Sequence, residues 1–361
     1  MTRRDLVMNF ISLFNGLKHA MTVTIGGPPM NPTTPAPAGP TVSCDATIDP
    51  ARRAAVEQAL ARLTPELGLA RAVWSATEIP GGAANANFRV TTGDQRFVLR
   101  IADPNGARFG MDRGCGFAAH RAAADLLIAP PLRAAVAPDG HCLTDLVDGR
   151  SASAADLADD ALLAEVGRLL ARLHSSPVRI GRWSVIDATL SYVDIARSEG
   201  LTVADDTPLL IEALERTRGV FAGLPAGEVL CHNDLVPQNL IIGPEGVTLV
   251  DWEYGGMAYG DFDLGNLAMN ADLSDGQVDH LMRSYLGRPA TDAELARVRL
   301  MALVAALREY FWAVVADPVL NYDIEHHGVD YLGWGHRHLL KARAVVDSPE
   351  LDRLLRAAAA S

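Results

Sequence analysis

Cysteine is scarce in this chain, positive charge is in deficit, and long apolar runs are missing. The four cysteines, Cys44, Cys115, Cys142 and Cys231, are scattered, with no C-x-x-C pair and no Cys/His cluster. That spacing excludes a zinc module and suits reduced thiols in a cytoplasm. Lys and Arg number 32 against 44 Asp and Glu, for a formal net charge of −12. Such a balance argues against nucleic acid and anionic membrane surfaces as partners. It suits a cationic small molecule. No apolar stretch approaches the roughly 18 residues of a membrane span. Thr2-Arg3-Arg4 ahead of Leu6 to Phe14 has the outline of a twin-arginine export signal, but Asn9, Ser12, Asn15 and Lys18 interrupt it. There is no internal repeat. What is present is a globular composition, 361 residues with 49% hydrophobic, enough for about two domains or lobes.

Gly26 to Pro40 is rich in Pro, Gly and Thr and reads as a linker or disordered tail. Order is expected from Asp49-Pro50, where Asp49 is a good N-cap and Pro50 suits the first turn of a helix to about Leu63. Val73 to Pro80, Phe88 to Thr92 and Arg96 to Ile101 read as strands, with Gly81-Gly82-Ala83-Ala84-Asn85 as a flexible loop. Phe117 to Leu127 reads as a helix, and Ala134 to Ala137 with Cys142 to Val147 completes a small sheet. After Val147 the periodicity turns helical, over Ala155–Leu173, Pro208–Val220, Asp275–Leu286, Asp292–Val315 and Asp330–Val346. The expected organisation is an N-terminal extension over 1–48, a strand-rich lobe over 49–147 and a mostly helical lobe over 148–361. The fold class is α+β.

One stretch carries chemistry. His232-Asn233-Asp234-Leu235-Val236-Pro237-Gln238-Asn239 reads H-x-D-x-x-x-x-N, and Val250-Asp251-Trp252-Glu253 adds a second Asp. Between them, Leu240–Ile242, a Gly243-Pro244-Glu245-Gly246 turn and Val247–Val250 predict a hairpin that returns Asp251 to the same cavity. Phosphoryl transfer from ATP needs this arrangement. Asp234 can accept the proton of an attacking hydroxyl, and Asn239 and Asp251 are hard oxygen ligands suited to Mg²⁺. An isolated loop Asp or Asn is most often a turn former. Here His, Asp, Asn, strand, turn and strand-ending Asp follow in order. His232 is expected to brace the loop by hydrogen bonds.

Leu230 to Ile241 closely resembles the choline and ethanolamine kinases. So do Val250-Asp251-Trp252-Glu253-Tyr254-Gly255-Gly256, Asp261-Phe262-Asp263-Leu264-Gly265-Asn266, the Gly81–Asn85 loop and Val98-Leu99-Arg100-Ile101. These kinases belong to the aminoglycoside phosphotransferase-like superfamily, and the resemblance spans about residues 70 to 345. It implies a two-lobed protein-kinase-like fold, with a small antiparallel-sheet N-lobe and a helical C-lobe. It implies that Gly81, Gly82 and Asn85 lie over the ATP phosphates, that Arg100 reaches them, and that Thr144, Asp145 and Leu146 form the interlobe hinge receiving adenine. Glycine permits close backbone approach to phosphate, and Arg grips it with a fork. A quaternary ammonium prefers aromatic faces with nearby carboxylates. For that acceptor pocket Trp252, Glu253, Tyr254, Asp263 and Trp312 are the expected residues, Asp263 more for loop architecture than for contact.

One position departs from the pattern. The family places a Glu on the helix after the strand cation, and Gly116 stands there, with Asp112 one turn earlier as a possible substitute. The expected function is ATP- and Mg²⁺-dependent phosphorylation of a small amino alcohol such as choline or ethanolamine, in the cytoplasm. The alternatives are another hydroxyl acceptor, such as an aminoglycoside, thiamine or a sugar, and a catalytically weak nucleotide-binding protein.

Overall fold

In a computed structural model of the chain, the described residues are 39–46, 48–80, 85–137, 139–224, 227–320 and 330–360. The twin-arginine-like stretch and Gly81 and Gly82 lie outside them. The fold is protein-kinase-like, a mixed-sheet lobe followed by a mostly helical one.

Order starts before Asp49. Strand β1 (Thr41–Cys44) runs parallel to β2 (Val73–Ile79). The sheet is therefore mixed rather than purely antiparallel, and β1 belongs to it rather than to the extension. Strands β3 (Ala86–Thr92), β4 (Gln95–Ile101), β5 (Leu132–Val136) and β6 (His141–Asp145) complete the order β1-β2-β3-β4-β6-β5, with every pair after the first antiparallel. Alternation sends Trp74, Phe88, Val90, Phe97 and Leu99 to one face. There they meet Val56, Leu60 and Leu63 of helix α1 (Pro50–Leu63). Asp49 caps α1, accepting from Ala51 N at 2.8 Å and Arg52 N at 2.9 Å. Helix α2 (Arg113–Asp125) starts four residues before the expected Phe117, because Asp112 caps it by accepting from Cys115 N at 3.0 Å.

After the short strand β7 (Arg150–Ser151), the second lobe is built on α3 (Asp160–His174), α4 (Val185–Glu199) and α5 (Thr207–Ala222). Strands β8 (Val229–Cys231), β9 (Leu240–Gly243), β10 (Gly246–Leu249) and β11 (Gly256–Ala258) follow, and β9 and β10 form the expected hairpin. Helices α6 (Gly260–Asn270), α7 (Asp275–Leu286), α8 (Asp292–Leu320), α9 (Tyr331–Val346) and α10 (Glu350–Ala358) complete it. Helices α4, α6 and α10 are additions to the sequence reading. β-Branched Val185, Ile186, Thr189 and Val193 weaken the local helix preference of α4, and Gly260 and Gly265 do so in α6. Packing decides both, since α4, α6, α9 and α10 all lie against α8. A Cβ at Gly265 would sit 2.6 Å from Val298 O and Ala302 N, so this glycine is what lets α6 approach α8.

Candidate active site

Strand β8 delivers the chain into the 232–239 loop and pairs with β11, setting Cys231 opposite Gly256. Asn233 then takes the left-handed conformation, φ 64°, which Asn tolerates better than most residues. Asp263, at the start of α6, holds that turn. It accepts from His232 N and Asn233 N at 2.8 Å each, with His174 Nε2 at 3.1 Å. Burial alone would push its carboxyl up; His174 and the loop amide hold it below its ordinary value. Asp263 has no exposed surface. It is therefore a loop anchor and does not face an acceptor pocket.

Inside the loop, His232 Nδ1 accepts from Asp234 N at 3.3 Å and Nε2 donates to Val250 O at 2.9 Å. Asn239 Nδ2 donates to Asp234 O at 2.9 Å, and Val250 N donates to Asn239 O at 3.0 Å. Four hydrogen bonds thus tie Asp234, Asn239 and the residue before Asp251 into one unit. Asp251 also takes the left-handed conformation, φ 67°, which Asp, like Asn, adopts more readily than most residues.

Two charged clusters flank this unit. On the sheet side, Arg100 Nη1 of β4 donates to Asp251 Oδ1 at 2.7 Å and lies 3.8 Å from Glu253. Glu253 also accepts from Asn85 Nδ2 at 2.7 Å and Arg113 Nη1 at 3.4 Å. Arg113 continues to Asp103 O at 2.8 Å, and Asp103 N returns to Asn85 Oδ1 at 3.2 Å. Burial pushes the Glu253 carboxyl up to about 7, helped by the charge of Asp251 and opposed by Arg100, Asn85 and Arg113. Glu253 is therefore the acid beside Arg100, not an acceptor-pocket acid. The expected gap at Gly116 is explained by the same packing: a Cβ there would lie 2.8 Å from Trp252 O and 3.2 Å from Glu253 O. Helix α2 gives up its side chain so that the Trp252–Glu253 backbone can approach. Asp112 is occupied in capping and does not brace Arg100.

On the helical side, Arg308 of α8 is 3% exposed. Its Nη1 donates to Asp234 Oδ1 at 2.7 Å and to Glu309 Oε1 at 2.8 Å, and Glu309 accepts from Trp334 Nε1 at 3.2 Å. The guanidinium carbon stands 4.5 Å from the Tyr254 ring centroid and 5.9 Å from that of Trp183. Burial opposes its charge, but Asp234 and Glu309 raise its pKa well above the ordinary value. Arg308 and Glu309 are absent from the residues expected above. A signal was available: an Arg-Glu pair inside the apolar run Met301 to Val315 is costly unless partnered by another buried charge.

The expected aromatics divide. Trp252 is 1% exposed, donates to Leu249 O at 3.2 Å and stacks beside His120 and His232, so it is core rather than pocket. Tyr254 meets Arg308 as above. Trp312 is 9% exposed, wedged between Phe109 at 5.9 Å and Tyr331 at 5.6 Å. In the expected hinge, Thr144 and Asp145 pair with Val98 and Phe97 of β4, and Leu146 N donates to Arg96 O at 3.1 Å. The Asp145 carboxylate is bound by Arg133 at 2.7 and 2.6 Å, on the surface.

A model of the phosphotransferase enzyme family matches residues 75–301. The protein LicA of Haemophilus influenzae is 28% identical over 231 residues, 61% of this chain and 66% of LicA. A second LicA sequence, from the Rd strain, is matched over 60% of its length, so the chain spans about two thirds or less of these relatives. Among solved structures, a choline/ethanolamine kinase family protein from Mesorhizobium loti is 24% identical, with a TM-score of 0.69 over 84% of this chain and 99% of that one. LicA in complex with AMP is 16% identical, with a TM-score of 0.62 over 76% of this chain and 92% of its own. Those two structures share the fold.

Proposed function

This chain belongs to the phosphotransferase enzyme family, and on that premise we propose that it moves the γ-phosphoryl group of ATP, with Mg²⁺, to the hydroxyl of a small amino alcohol such as choline or ethanolamine. It is a small-molecule kinase of the choline/ethanolamine kinase-like kind. Asp234 acts as the general base, with its second carboxylate oxygen left for the acceptor hydroxyl. Arg100 holds the phosphates, together with Asn85, which Glu253 and Asp103 fix in place. Thr144 to Leu146 is the hinge beside the adenine.

The donor set fits Mg²⁺. With its Nδ2 committed to Asp234 O, Asn239 offers its amide oxygen, and Asp251 offers a carboxylate. When bound, the ion offsets charge on the phosphate oxygens. The observation that carries the reading is the bonded unit of Asp234, Asn239 and Val250, which sets Asp251 beside it to meet Arg100 from the sheet lobe. A cationic acceptor is favoured because two carboxylates, Asp234 and Glu309, face one guanidinium, Arg308. Glu253 beside Arg100 removes the motive for a catalytically weak protein. The four free cysteines and the use of ATP support a cytoplasmic setting. No helix among the described residues is long and apolar enough to cross a membrane.

An ADP-release assay with and without Mg²⁺, across amino alcohols, aminoglycosides, sugars and thiamine, tests this. Mg²⁺-dependent release that requires an amino alcohol is expected. Release driven only by one of the other acceptors would move the chain to a different substrate class.

A further inference from the structure

A quaternary ammonium and a primary ammonium ask for different pockets. The first has no N–H and binds through open aromatic faces; the second has three donors and needs acceptor atoms. Beside Asp234 the ring faces are already used. The guanidinium of Arg308 lies over Tyr254 at 4.5 Å and within 5.9 Å of Trp183. Trp183 meets Tyr254 and Phe262, and Trp312 is filled in by Phe109 and Tyr331. The protein's own cation thus covers the Tyr254 face.

Polar capacity, by contrast, is left over at the same place. Asn233 Oδ1 is buried without a hydrogen-bond partner, as are Arg308 Nε and Trp183 Nε1. Of these, Asn233 Oδ1 can accept. The Glu309 carboxylate, held by Arg308 and Trp334, adds a charged acceptor. Two carboxylates against one guanidinium leave one negative charge to meet one ammonium.

We propose that Arg308 is a specificity-determining residue: by covering the Tyr254 face between Asp234 and Glu309, it selects acceptors with a primary ammonium and excludes the trimethylated one. This rests on the amino-alcohol reading above. Each methyl on nitrogen removes a donor that Asn233 or Glu309 can receive, and adds volume where Arg308 stands.

The test is kcat/KM for ethanolamine, its N-methyl and N,N-dimethyl derivatives and choline, in the wild type and in Arg308→Met. Met keeps much of the volume and removes the charged plane. In the wild type, kcat/KM is expected to fall along the series, with choline at least about tenfold below ethanolamine. In Arg308→Met the choline-to-ethanolamine ratio is expected to rise about tenfold, and Arg308→Lys, which keeps the charge, should retain the ethanolamine preference. A wild type that uses choline as well as ethanolamine overturns the proposal. So does a folded Arg308→Met with an unchanged ratio. If Arg308→Met fails to fold, the wild-type series decides by itself. Turnover with none of the four compounds overturns the amino-alcohol reading, and the role of Arg308 with it.

Discussion

The two clusters that flank the catalytic loop are both buried and both built on arginine, yet their charge arithmetic differs. On the sheet side Arg100 and Arg113 face Asp251 and Glu253, two cations to two acids. On the helical side Arg308 alone faces Asp234 and Glu309. The balanced cluster is closed on itself, and it suits a ligand that brings both signs, phosphate with a divalent ion. The unbalanced one keeps a net negative charge, and it suits a ligand that brings a single positive charge. The difference teaches that one loop can serve two partners because each flank carries its own account of charge.

The comparison breaks most visibly at Asp234. Asp234→Asn should lower kcat by about 10²–10⁴ while nucleotide binding persists, because only the helical-side base is lost. Steady-state kinetics beside a nucleotide titration check this, and near-wild-type turnover would take Asp234 out of the base role. Next comes Trp312→Ala, expected to cost about 3–5 kcal/mol of stability by opening a cavity between Phe109 and Tyr331. Denaturant unfolding reads that cost. A stable variant with only a raised acceptor KM would instead make Trp312 a pocket wall.

Gly116 probes the sheet side. Gly116→Ala should cost about 1–3 kcal/mol through overpacking against Trp252 O, and Gly116→Glu more, with no gain in ATP use. Thermal unfolding and KM for ATP are the readouts, and a lower KM in Gly116→Glu would show room that the backbone does not provide. The smallest effect is a pH dependence. Glu253 has its pKa raised from 4.5 to about 7. Between those values the unfolded chain has released a proton that the folded chain keeps, so this group's contribution to stability falls as pH rises through the window. Glu253→Gln should remove that component. Unfolding midpoints at pH 5 and 7.5 compare the two proteins, and an unchanged pH dependence would put the Glu253 proton elsewhere.

The catalytic loop and the sheet side are far more legible in the sequence than Arg308 and Glu309 on the helical side. Asp234, Asn239 and Asp251 share one linear motif whose spacing encodes loop and hairpin, and Arg100 ends an alternating strand. Glu253 sits two residues from Asp251, so its position was visible but its partners were not. Those partners, Asn85 and Arg113, are 168 and 140 residues away in the chain. Arg308 is separated from Asp234 by 74 residues and lies on a helix apolar on nearly every face, where periodicity points nowhere. Trp252 and Trp312 looked like pocket residues because aromatics serve core and pocket alike; burial distinguishes the two, and burial is a property of the fold. Strand β1, four residues beside a Pro-rich stretch, carries too little pattern to be read from sequence.

The central claim is that Asp234 serves as the base for phosphoryl transfer from ATP to the hydroxyl of a cationic acceptor seated beside Glu309. Phosphorus NMR of the protein with ATP, Mg²⁺ and ethanolamine tests it most directly. The prediction is an O-phosphorylated amino alcohol appearing in step with ADP, and neither appearing in Asp234→Asn. Nucleotide bound with Mg²⁺ but no phosphate transferred to any amino alcohol, or transfer at an equal rate in Asp234→Asn, would contradict it.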